Sequence, residues 1–386
     1  MIGQEVTGQE MRQTPGPDQG QLMLEAWDVE VRRGGTPTLR VPRIEVRRGE
    51  TLAVMGPNGA GKSTLLLVLS LLLKPTSGSV SVAGELATAA NSLRLRRRMA
   101  VVFQEPLLLD TSVARNVATG LELRGVARAE RDARVAKWLD AFGIAHLAKR
   151  TARSLSGGEA QRTSLARAFA LEPEVIFLDE PFSALDAPTR AAVTADLLAV
   201  LRQTRTTTLL VTHDRDEALA LGDRVGVLVG GELRQVGPPE EVFGMPADAE
   251  VAEFVGVETV ADGVVVAQDD GVAQVQVGGV ALEVASPLGV GTAVHLCLRP
   301  EDVTIYPARL DGELPRSSAR NRLAGLIAGM SPWGGQVRVT LDCGFPLAAM
   351  ITRRSASDLG LAVGAPAVAS FKATAAHLIP HSPGRP

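Results

Sequence analysis

The sequence predicts an α/β domain built on a mostly parallel sheet, followed by a C-terminal region of mostly β structure. Two observations support this prediction. Between about residues 22 and 243, short continuous runs of Val, Leu and Ile alternate with longer helical stretches, as expected for strands covered on both faces. After about residue 245 the helical periodicity fades, and residues 264–284 alternate apolar and polar positions around glycines, which indicates antiparallel strands.

Length and composition limit the class of protein. The chain has 386 residues and a formal net charge of −3, so we expect two or three domains and no nucleic-acid partner. Two cysteines exclude a disulfide scaffold. No signal-peptide pattern occurs, and the longest apolar run, residues 65–73, is too short to span a bilayer. We therefore expect a soluble intracellular protein.

The N-terminal part of the chain divides into a tail and the α/β domain. Residues 1–20 are rich in Gln, Gly and Pro and predict a disordered tail. The α/β domain is expected over residues 21–245, with a helical subdomain at about 105–160, where charged helical patterns replace strand candidates. The runs that predict its buried strands are Thr51–Met55, Ala100–Phe103, Val175–Leu178, Thr207–Val211 and Val225–Val229.

A glycine-rich loop directly after the first of these runs has the spacing G-x-x-x-x-G-K-[ST] and opens a helix. Glycines let backbone N–H groups converge on phosphate oxygens, and the helix N-terminus adds a positive dipole. We expect Lys62 to reach the β- and γ-phosphates and the Ser63 hydroxyl to bind Mg²⁺. The sequence thus predicts a P-loop NTPase whose loop residues are Gly56, Pro57, Asn58, Gly59, Ala60, Gly61, Lys62, Ser63 and Thr64.

Two acidic residues end the predicted strand at Val175–Leu178. A carboxylate at the end of a strand beside a P-loop can hold the Mg²⁺ shell, and this role falls to Asp179. Glu180 follows at the position where a general base can polarise the attacking water. The pair therefore predicts hydrolysis of the bound nucleotide.

Small residues also precede a second helix, in the segment Leu155–Glu159. One γ-phosphate needs one such helix N-terminus, and the P-loop already supplies it. The segment is best explained as closing on a nucleotide held by a second copy of the chain. The alternative is an ordinary Ser156 N-cap with a capping box to Glu159.

Together these motifs resemble the nucleotide-binding subunit of ATP-binding-cassette (ABC) transporters. Six motifs occur once each and in the family order over about residues 22–245. Besides the P-loop and the Asp179-Glu180 strand, the resemblance identifies the Q-loop, the signature, the D-loop and the switch histidine. Their key residues are Gln104; Ser156, Gly157 and Gly158 with Gln161; Asp186; and His213.

The resemblance implies an α/β P-loop NTPase cassette with ATP and Mg²⁺ as its ligands. It implies that two copies close head to tail around two ATP, so that Ser156 and Gly158 of one copy complete the other's site. Gln104 would link Mg²⁺ to separate transmembrane permease subunits, and His213 would contact the γ-phosphate. A separate solute-binding protein and a peripheral position on the cytoplasmic face of the inner membrane follow from the same resemblance.

One position departs from the family pattern. The family stacks adenine on an aromatic residue some two dozen positions before the P-loop lysine, and alignment of this segment places Arg33 there. A guanidinium can also stack on a base. We therefore expect Arg33 to contact the nucleobase.

The C-terminal region resembles accessory modules of ABC importers. Residues 250–312, with Leu298–Val303, are similar to the β domain called TOBE, and residues 315–382 to molbindin-like (MOP) modules, small OB-like barrels that bind tetrahedral oxyanions between subunits. Residues 315–386 hold eight bases and two acids, which suits a dianion; a purely structural or dimerising module is the alternative. The oxyanion candidates are Ser318, Arg320, Thr352, Ser355 and Lys372.

A weak repeat lies within this region. Gly291 and Gly364 each open a β-like stretch in which a cation, Arg299 or Lys372, follows eight residues later. Two related β units in tandem explain this pattern, and chance similarity of Gly- and Val-rich strands is the alternative.

The leading functional hypothesis is the ATPase subunit of a molybdate or tungstate importer. An importer ATPase for another solute, such as sulfate, ferric iron, polyamine or sugar, remains the main alternative. A soluble cassette protein acting on ribosomes or DNA is disfavoured by the single cassette and near-neutral charge. An oxyanion store or sensor with a vestigial ATPase is disfavoured because Lys62, Asp179, Glu180 and His213 are all intact.

Overall fold

The computed structural model describes residues 20–308 and 317–380. The chain divides into two compact units, with the boundary between Pro239 and Glu240. Apart from Gly20, the predicted N-terminal tail lies outside the described residues.

The first unit is a single ten-stranded sheet with helices. Its strands are β1 Leu22–Arg33, β2 Thr36–Arg47, β3 Thr51–Met55, β4 Ser77–Val82, β5 Glu85–Leu86, β6 Met99–Val102, β7 Val175–Asp179, β8 Thr207–Val211, β9 Arg224–Val229 and β10 Glu232–Gly237. Its helices are α1 Lys62–Leu69, α2 Ser92–Arg96, α3 Val113–Leu123, α4 Arg128–Ala141, α5 Gly157–Phe169, α6 Ala187–Thr204 and α7 Arg215–Leu221, with short 3-10 turns at Ala145–Leu147 and Ala152–Ser154.

The sheet follows the order β5-β4-β1-β2-β10-β9-β3-β8-β7-β6. The half from β9 to β6 is parallel, and its strands lie within one residue of the predicted runs. Every residue of β3 and β8 is buried, which explains their continuous apolar sequence. In the other half, β1 turns into β2 through Gly34 and Gly35 and pairs antiparallel with both β2 and β4. β10 pairs parallel with β2 and antiparallel with β9. The sheet is therefore mixed rather than mostly parallel.

The helical subdomain predicted at about 105–160 is formed by α3, α4 and the two 3-10 turns, and it leads into α5. Trp138, Phe142 and Phe169 pack together at its centre, with ring centroids 5.2–6.5 Å apart. Aromatic residues bury the most apolar surface per side chain. This cluster therefore joins α4 to α5.

In the part of the chain that the structure describes, the second unit contains two five-stranded antiparallel sheets and three short helices. Its strands are β11 Thr259–Asp269, β12 Val272–Val277, β13 Val280–Ala285, β14 Ala293–Leu298, β15 Thr304–Pro307, β16 Asn321–Trp333, β17 Gln336–Asp342, β18 Pro346–Thr352, β19 Pro366–Phe371 and β20 His377–Pro380. Its helices are α8 Pro239–Gly244, α9 Ala249–Phe254 and α10 Arg353–Asp358, with a 3-10 turn at Pro300–Asp302.

The two sheets exchange their last strands. The orders are β13-β12-β11-β14-β20 and β18-β17-β16-β19-β15, so the two sheets have the same arrangement except that β15 and β20 have changed places. β14 and β19 are the strands that follow Gly291 and Gly364. The weak sequence repeat is therefore a structural repeat.

This exchange corrects the prediction of two units in tandem, 250–312 and 315–382. Leu282 and Leu296 from one sheet share a single buried core with Leu341 and Phe371 from the other. A chain cut between the sheets would lose β20 from the first sheet and β15 from the second. The region from Glu240 onward therefore forms one compact unit.

Among the described residues, no helix has both the length and the apolar character that crossing a membrane requires.

Truncation after residue 312 tests the strand exchange. The shortened chain keeps β11–β15 but lacks β20, so we expect the remaining β strands to expose their apolar core and to show no cooperative unfolding transition of their own. Dye binding to exposed apolar surface and calorimetric scans measure this. Truncation after Pro239 is the control, because it removes the whole second unit and leaves neither of its sheets incomplete. A cooperative transition from residues 250–312 alone would contradict the shared core.

Candidate functional site

The candidate site lies at the carboxyl edge of four adjacent parallel strands. In sheet order these are β3, β8, β7 and β6, and they are followed by Lys62, His213, Glu180 and Gln104 respectively. The carboxyl ends of parallel strands meet at one edge, where ligands of open α/β sheets bind. Four residues that are far apart in sequence therefore gather at one place.

The P-loop takes its shape from two glycines. An added Cβ on Gly56 would lie 2.0 Å from the carbonyl oxygen of Leu228, so only glycine fits against β9. Gly61, with φ of +98°, caps α1 in the left-handed region that favours glycine. The loop thereby turns sharply enough to present its N–H groups at the start of α1.

Lys62 is buried, with 5% of its surface exposed. Its Nζ donates hydrogen bonds to the carbonyl oxygens of Gly56, at 2.8 Å, and Pro57, at 3.1 Å. It also lies 3.6 Å from Oε1 of Glu180. The ammonium group is thus held above the loop and beside the predicted general base.

Asp179 and Ser63 are in direct contact. The Ser63 hydroxyl donates a hydrogen bond to Oδ1 of Asp179 at 3.0 Å. Burial raises the pKa of Asp179 and the hydrogen bond from Ser63 opposes that shift, while the neighbouring charge of Glu180 adds to it. A cation at this point would relieve the cost of the buried carboxylate. Hydroxyl and carboxylate oxygens are also the ligand type that Mg²⁺ prefers, so the residues present fit that ion.

Glu180 occupies the centre of the group. Its Oε2 lies 3.1 Å from Nδ1 of His213, on the side opposite the contact of Oε1 with Lys62. Its backbone has φ of +44°, which is rare for a residue with a side chain, and its N–H donates to the carbonyl of Val211 at 2.8 Å. Strained backbone of this kind occurs at functional sites, and here it sets the direction of the carboxylate.

A cleft of about 510 Å³ is lined by half of the predicted nucleotide-binding residues. Arg33 lines it together with the P-loop, so the structure brings the predicted base contact and the predicted phosphate contacts to one cavity. Gly56, Pro57 and Ala60 belong to the loop but do not line the cleft. The lining residues are Arg33, Thr38, Asn58, Gly59, Gly61, Lys62, Ser63, Thr64, Gln104 and Glu180.

The signature segment lies apart from this cleft. Ser156 caps α5 with a full capping box to Glu159, as the ordinary alternative predicted, yet Ser156 and Gly157 remain exposed. Gly158 is buried against Thr189, and Gln161 is buried within α5. Asp186 caps α6 through Thr189. None of these residues lines the cleft of its own chain.

Sequence reasoning missed several supporting contacts. Ser183 accepts a hydrogen bond from Nε2 of Gln104 at 3.1 Å and donates one to the carbonyl of Glu180 at 3.0 Å. Asp214 caps α7 and pairs with Arg190 at 2.9 Å. Ser183 begins the D-loop segment that ends at Asp186, and Asp214 directly follows the switch residue His213. Their places in these two motifs could have indicated a supporting role. The role of Arg190 required the fold.

The five oxyanion candidates fall into two groups within one chain. Thr352 caps α10, and its hydroxyl lies 2.8 Å from that of Ser355. Arg320 and Lys372 are the sequence neighbours of Asn321 and Phe371, which pair at the start of β16. Thr352 lies near the opposite end of β16, because it pairs with Gln336, which in turn pairs with Trp333. Ser318 precedes Arg320. A single copy therefore does not bring the five together, and the oxyanion site stays a prediction.

The family model described as ABC transporter matches residues 39–183. The model described as TOBE domain matches residues 317–378, which is the stretch compared above with molbindin-like modules, rather than residues 250–312.

Two relatives and one solved structure are similar over most of their own length. The molybdate/tungstate import ATP-binding protein WtpC of Pyrococcus horikoshii is 36% identical, over 89% of this chain and 96% of the relative. The Fe(3+) ions import ATP-binding protein FbpC of Streptomyces avermitilis is 38% identical, over 74% of this chain and 81% of the relative. A dimeric, post-hydrolysis structure of an ATP-binding cassette bound to ADP and Pi has a TM-score of 0.51 at 28% identity, covering 56% of this chain and 99% of that one.

Arg33 provides a test of the base contact. Arg33→Ala should weaken ATP binding by about 0.5–2 kcal/mol, the range for a cation over an aromatic ring, and Arg33→Tyr should restore it. Titrations of the purified chain with ATP and with tripolyphosphate separate a base contact from a phosphate contact. Arg32→Ala is the control, because Arg32 pairs with Glu30 and does not line the cleft. An equal loss for both ligands, or no loss, would contradict the assignment.

Proposed function

Because this chain belongs to the ATP-binding subunits of ABC transporters, we propose that it hydrolyses ATP to drive import of an oxyanion, molybdate or tungstate. Import would proceed through separate permease subunits, with a solute-binding protein delivering the anion. The relative named for molybdate/tungstate import is matched over nearly its whole length, and it supports this choice of solute. The relative named for Fe(3+) import supports the same activity with a different solute.

The observation that carries the ATPase assignment is the position of Glu180 between Lys62 and His213. In the proposed reaction the Glu180 carboxylate accepts a proton from the water that attacks the γ-phosphate. Lys62 and the P-loop N–H groups stabilise the negative charge on the phosphate oxygens. His213, held by Oε2 of Glu180, fixes the orientation of the carboxylate and contacts the same phosphate.

Magnesium is the expected partner of the nucleotide. The Ser63 hydroxyl, the Asp179 carboxylate and the amide oxygen of Gln104 would hold it, since Ser63 and Gln104 line the cleft and Asp179 is hydrogen-bonded to Ser63. When bound, the ion supplies charge neutralisation for the β- and γ-phosphates.

Two copies of the chain are proposed to share two nucleotides. The N-terminus of α5, where Ser156 and Gly157 are exposed, carries a partial positive charge from the helix dipole. Neither residue lines the cleft of its own chain. A second copy arranged head to tail would place this helix N-terminus on the partner's phosphates. The dimeric cassette with ADP and Pi supports this arrangement. The assembled subunits would sit on the cytoplasmic face of the membrane, peripherally, beneath the permease.

Glu180→Gln tests the hydrolytic role. The variant should bind ATP normally but hydrolyse it at least ~10²-fold more slowly, as expected for loss of a general base. It should also trap an ATP-bound dimer, which size-exclusion chromatography with ATP and Mg²⁺ detects. Glu172→Gln, at a surface ion pair with Lys137, is the control and should keep its activity. Normal turnover in Glu180→Gln would remove Glu180 from this role.

Oxyanion binding to the C-terminal region is tested by calorimetry of the full chain with molybdate, tungstate, sulfate and phosphate. Lys372→Ala should weaken binding of the preferred anion by about 1.5–3 kcal/mol, because an anion enclosed between two copies would lose a charged hydrogen-bond donor. Lys149→Ala, which removes an exposed cation from the first unit, is the control. If no anion binds the wild-type chain at millimolar concentration, the module is structural.

A further inference from the structure

A side chain outside the cleft holds the segment that carries Gln104. Arg167 lies near the end of α5, and its guanidinium donates to two successive carbonyl oxygens, those of Pro106, at 2.8 Å, and Leu107, at 2.9 Å. A planar guanidinium makes such paired contacts in one fixed geometry. α5 is the helix that begins at Ser156, so Arg167 ties this helix to the residues that follow Gln104.

The charge of Arg167 has no carboxylate partner within 4 Å among the residues that the structure describes. Other arginines of the same unit do have one, as Arg98 does in a two-point pair with Glu174 at 2.7 Å. Arg167 is half-buried, and this burial lowers its pKa. A half-buried guanidinium whose hydrogen-bond acceptors are all neutral still carries a desolvation cost. The two carbonyl oxygens therefore take the place that a carboxylate occupies in an ion pair, and they fix the position of the guanidinium.

Apolar burial contributes little to fixing the segment that Arg167 holds, residues 106–109. Leu107 and Leu109 are 59% and 49% exposed, so burial of apolar surface does not anchor them. Leu107 has φ of +44°, a rare conformation for leucine. At the far end, the fully buried Asn116 exchanges two hydrogen bonds with the backbone of Leu109, at 2.8 and 3.0 Å. Side-chain clamps thus hold both ends of the segment.

The segment leads directly to the catalytic glutamate. Gln104 precedes Pro106 by two residues and donates to the hydroxyl of Ser183, which in turn donates to the carbonyl oxygen of Glu180. A shift of the segment would therefore move both the amide of Gln104 and the hydrogen bond on the backbone of Glu180.

We propose that Arg167 is a positioning residue for nucleotide hydrolysis: it fixes residues 106–107 so that Gln104 and, through Ser183, Glu180 stay directed at the cleft. This inference rests on the proposed function of the site. It assigns Arg167 no contact with nucleotide, so its loss should lower kcat while the affinity for ATP stays the same.

A double-mutant cycle in the full chain tests the proposal. Arg167→Gln should reduce kcat by about tenfold, the scale for loss of an outer-shell partner, with unchanged ATP affinity. Arg167→Lys keeps the charge but not the paired N–H donors of the guanidinium, so its kcat should lie between those of the wild-type chain and Arg167→Gln. If Arg167 acts through Gln104, the double variant with Gln104→Ala should be no slower than Gln104→Ala alone. Arg98→Gln is the control, and its effect should multiply with that of Gln104→Ala.

The possible failures can be told apart. Multiplicative effects of Arg167→Gln and Gln104→Ala, an unchanged kcat or a raised KM would each overturn the positioning role. If the wild-type chain hydrolyses no ATP, the proposed function fails, and amide hydrogen exchange still decides the inference. Residues 105–110 should exchange faster in Arg167→Gln than in the wild-type chain, whereas those of β7 should not. Equal exchange of residues 105–110 would overturn the proposal.

Discussion

The hydrogen bond from Ser63 to Asp179 joins the first turn of α1, the helix that follows β3, to the end of β7, and the other groups of the site are arranged around it. β8 lies between these two strands and brings His213 to the same edge. Lys62 precedes Ser63, and Glu180 follows Asp179. The bond between Ser63 and Asp179 therefore also brings Nζ of Lys62 to 3.6 Å from Oε1 of Glu180. Because parallel strands place their carboxyl ends together, one sheet edge determines four side-chain positions.

The loops around this edge are fixed by side-chain caps. Ser156, Asp186 and Asp214 each accept a hydrogen bond from the first turn of the helix that follows. A cap of this type contributes about 1 kcal/mol to stability. These residues therefore anchor the three segments in which the signature, D-loop and switch motifs occur, and the exposed residues of the motifs are held without being buried.

The sequence predicted the parallel strands closely, because strands buried on both faces are continuous apolar runs, as β3 and β8 are. It also predicted that Lys62 and Ser63 lie beside Asp179 and Glu180, since P-loop chemistry requires particular residues at fixed spacing, and the roles of these residues stay predictions. The antiparallel pairings of β1 and the exchange of β15 and β20 were missed. The exchange and the pairing of β1 with β4 join segments that lie far apart in the sequence, and local patterns do not encode such pairings. The carbonyl contacts of Arg167 were missed for the same reason.

The strand exchange determines the order in which the second unit can be completed during synthesis. β20, the last strand among the residues that the structure describes, pairs with β14 in the sheet that contains β11, β12 and β13. A nascent chain emerges from the ribosome N-terminus first, so the first sheet of this unit must wait, with its edge at β14 unpaired, until His377–Pro380 has emerged. The α/β unit contains all of its own strands before that point. The two units therefore finish folding at different times, and the β unit acquires its native core only after β20 has emerged.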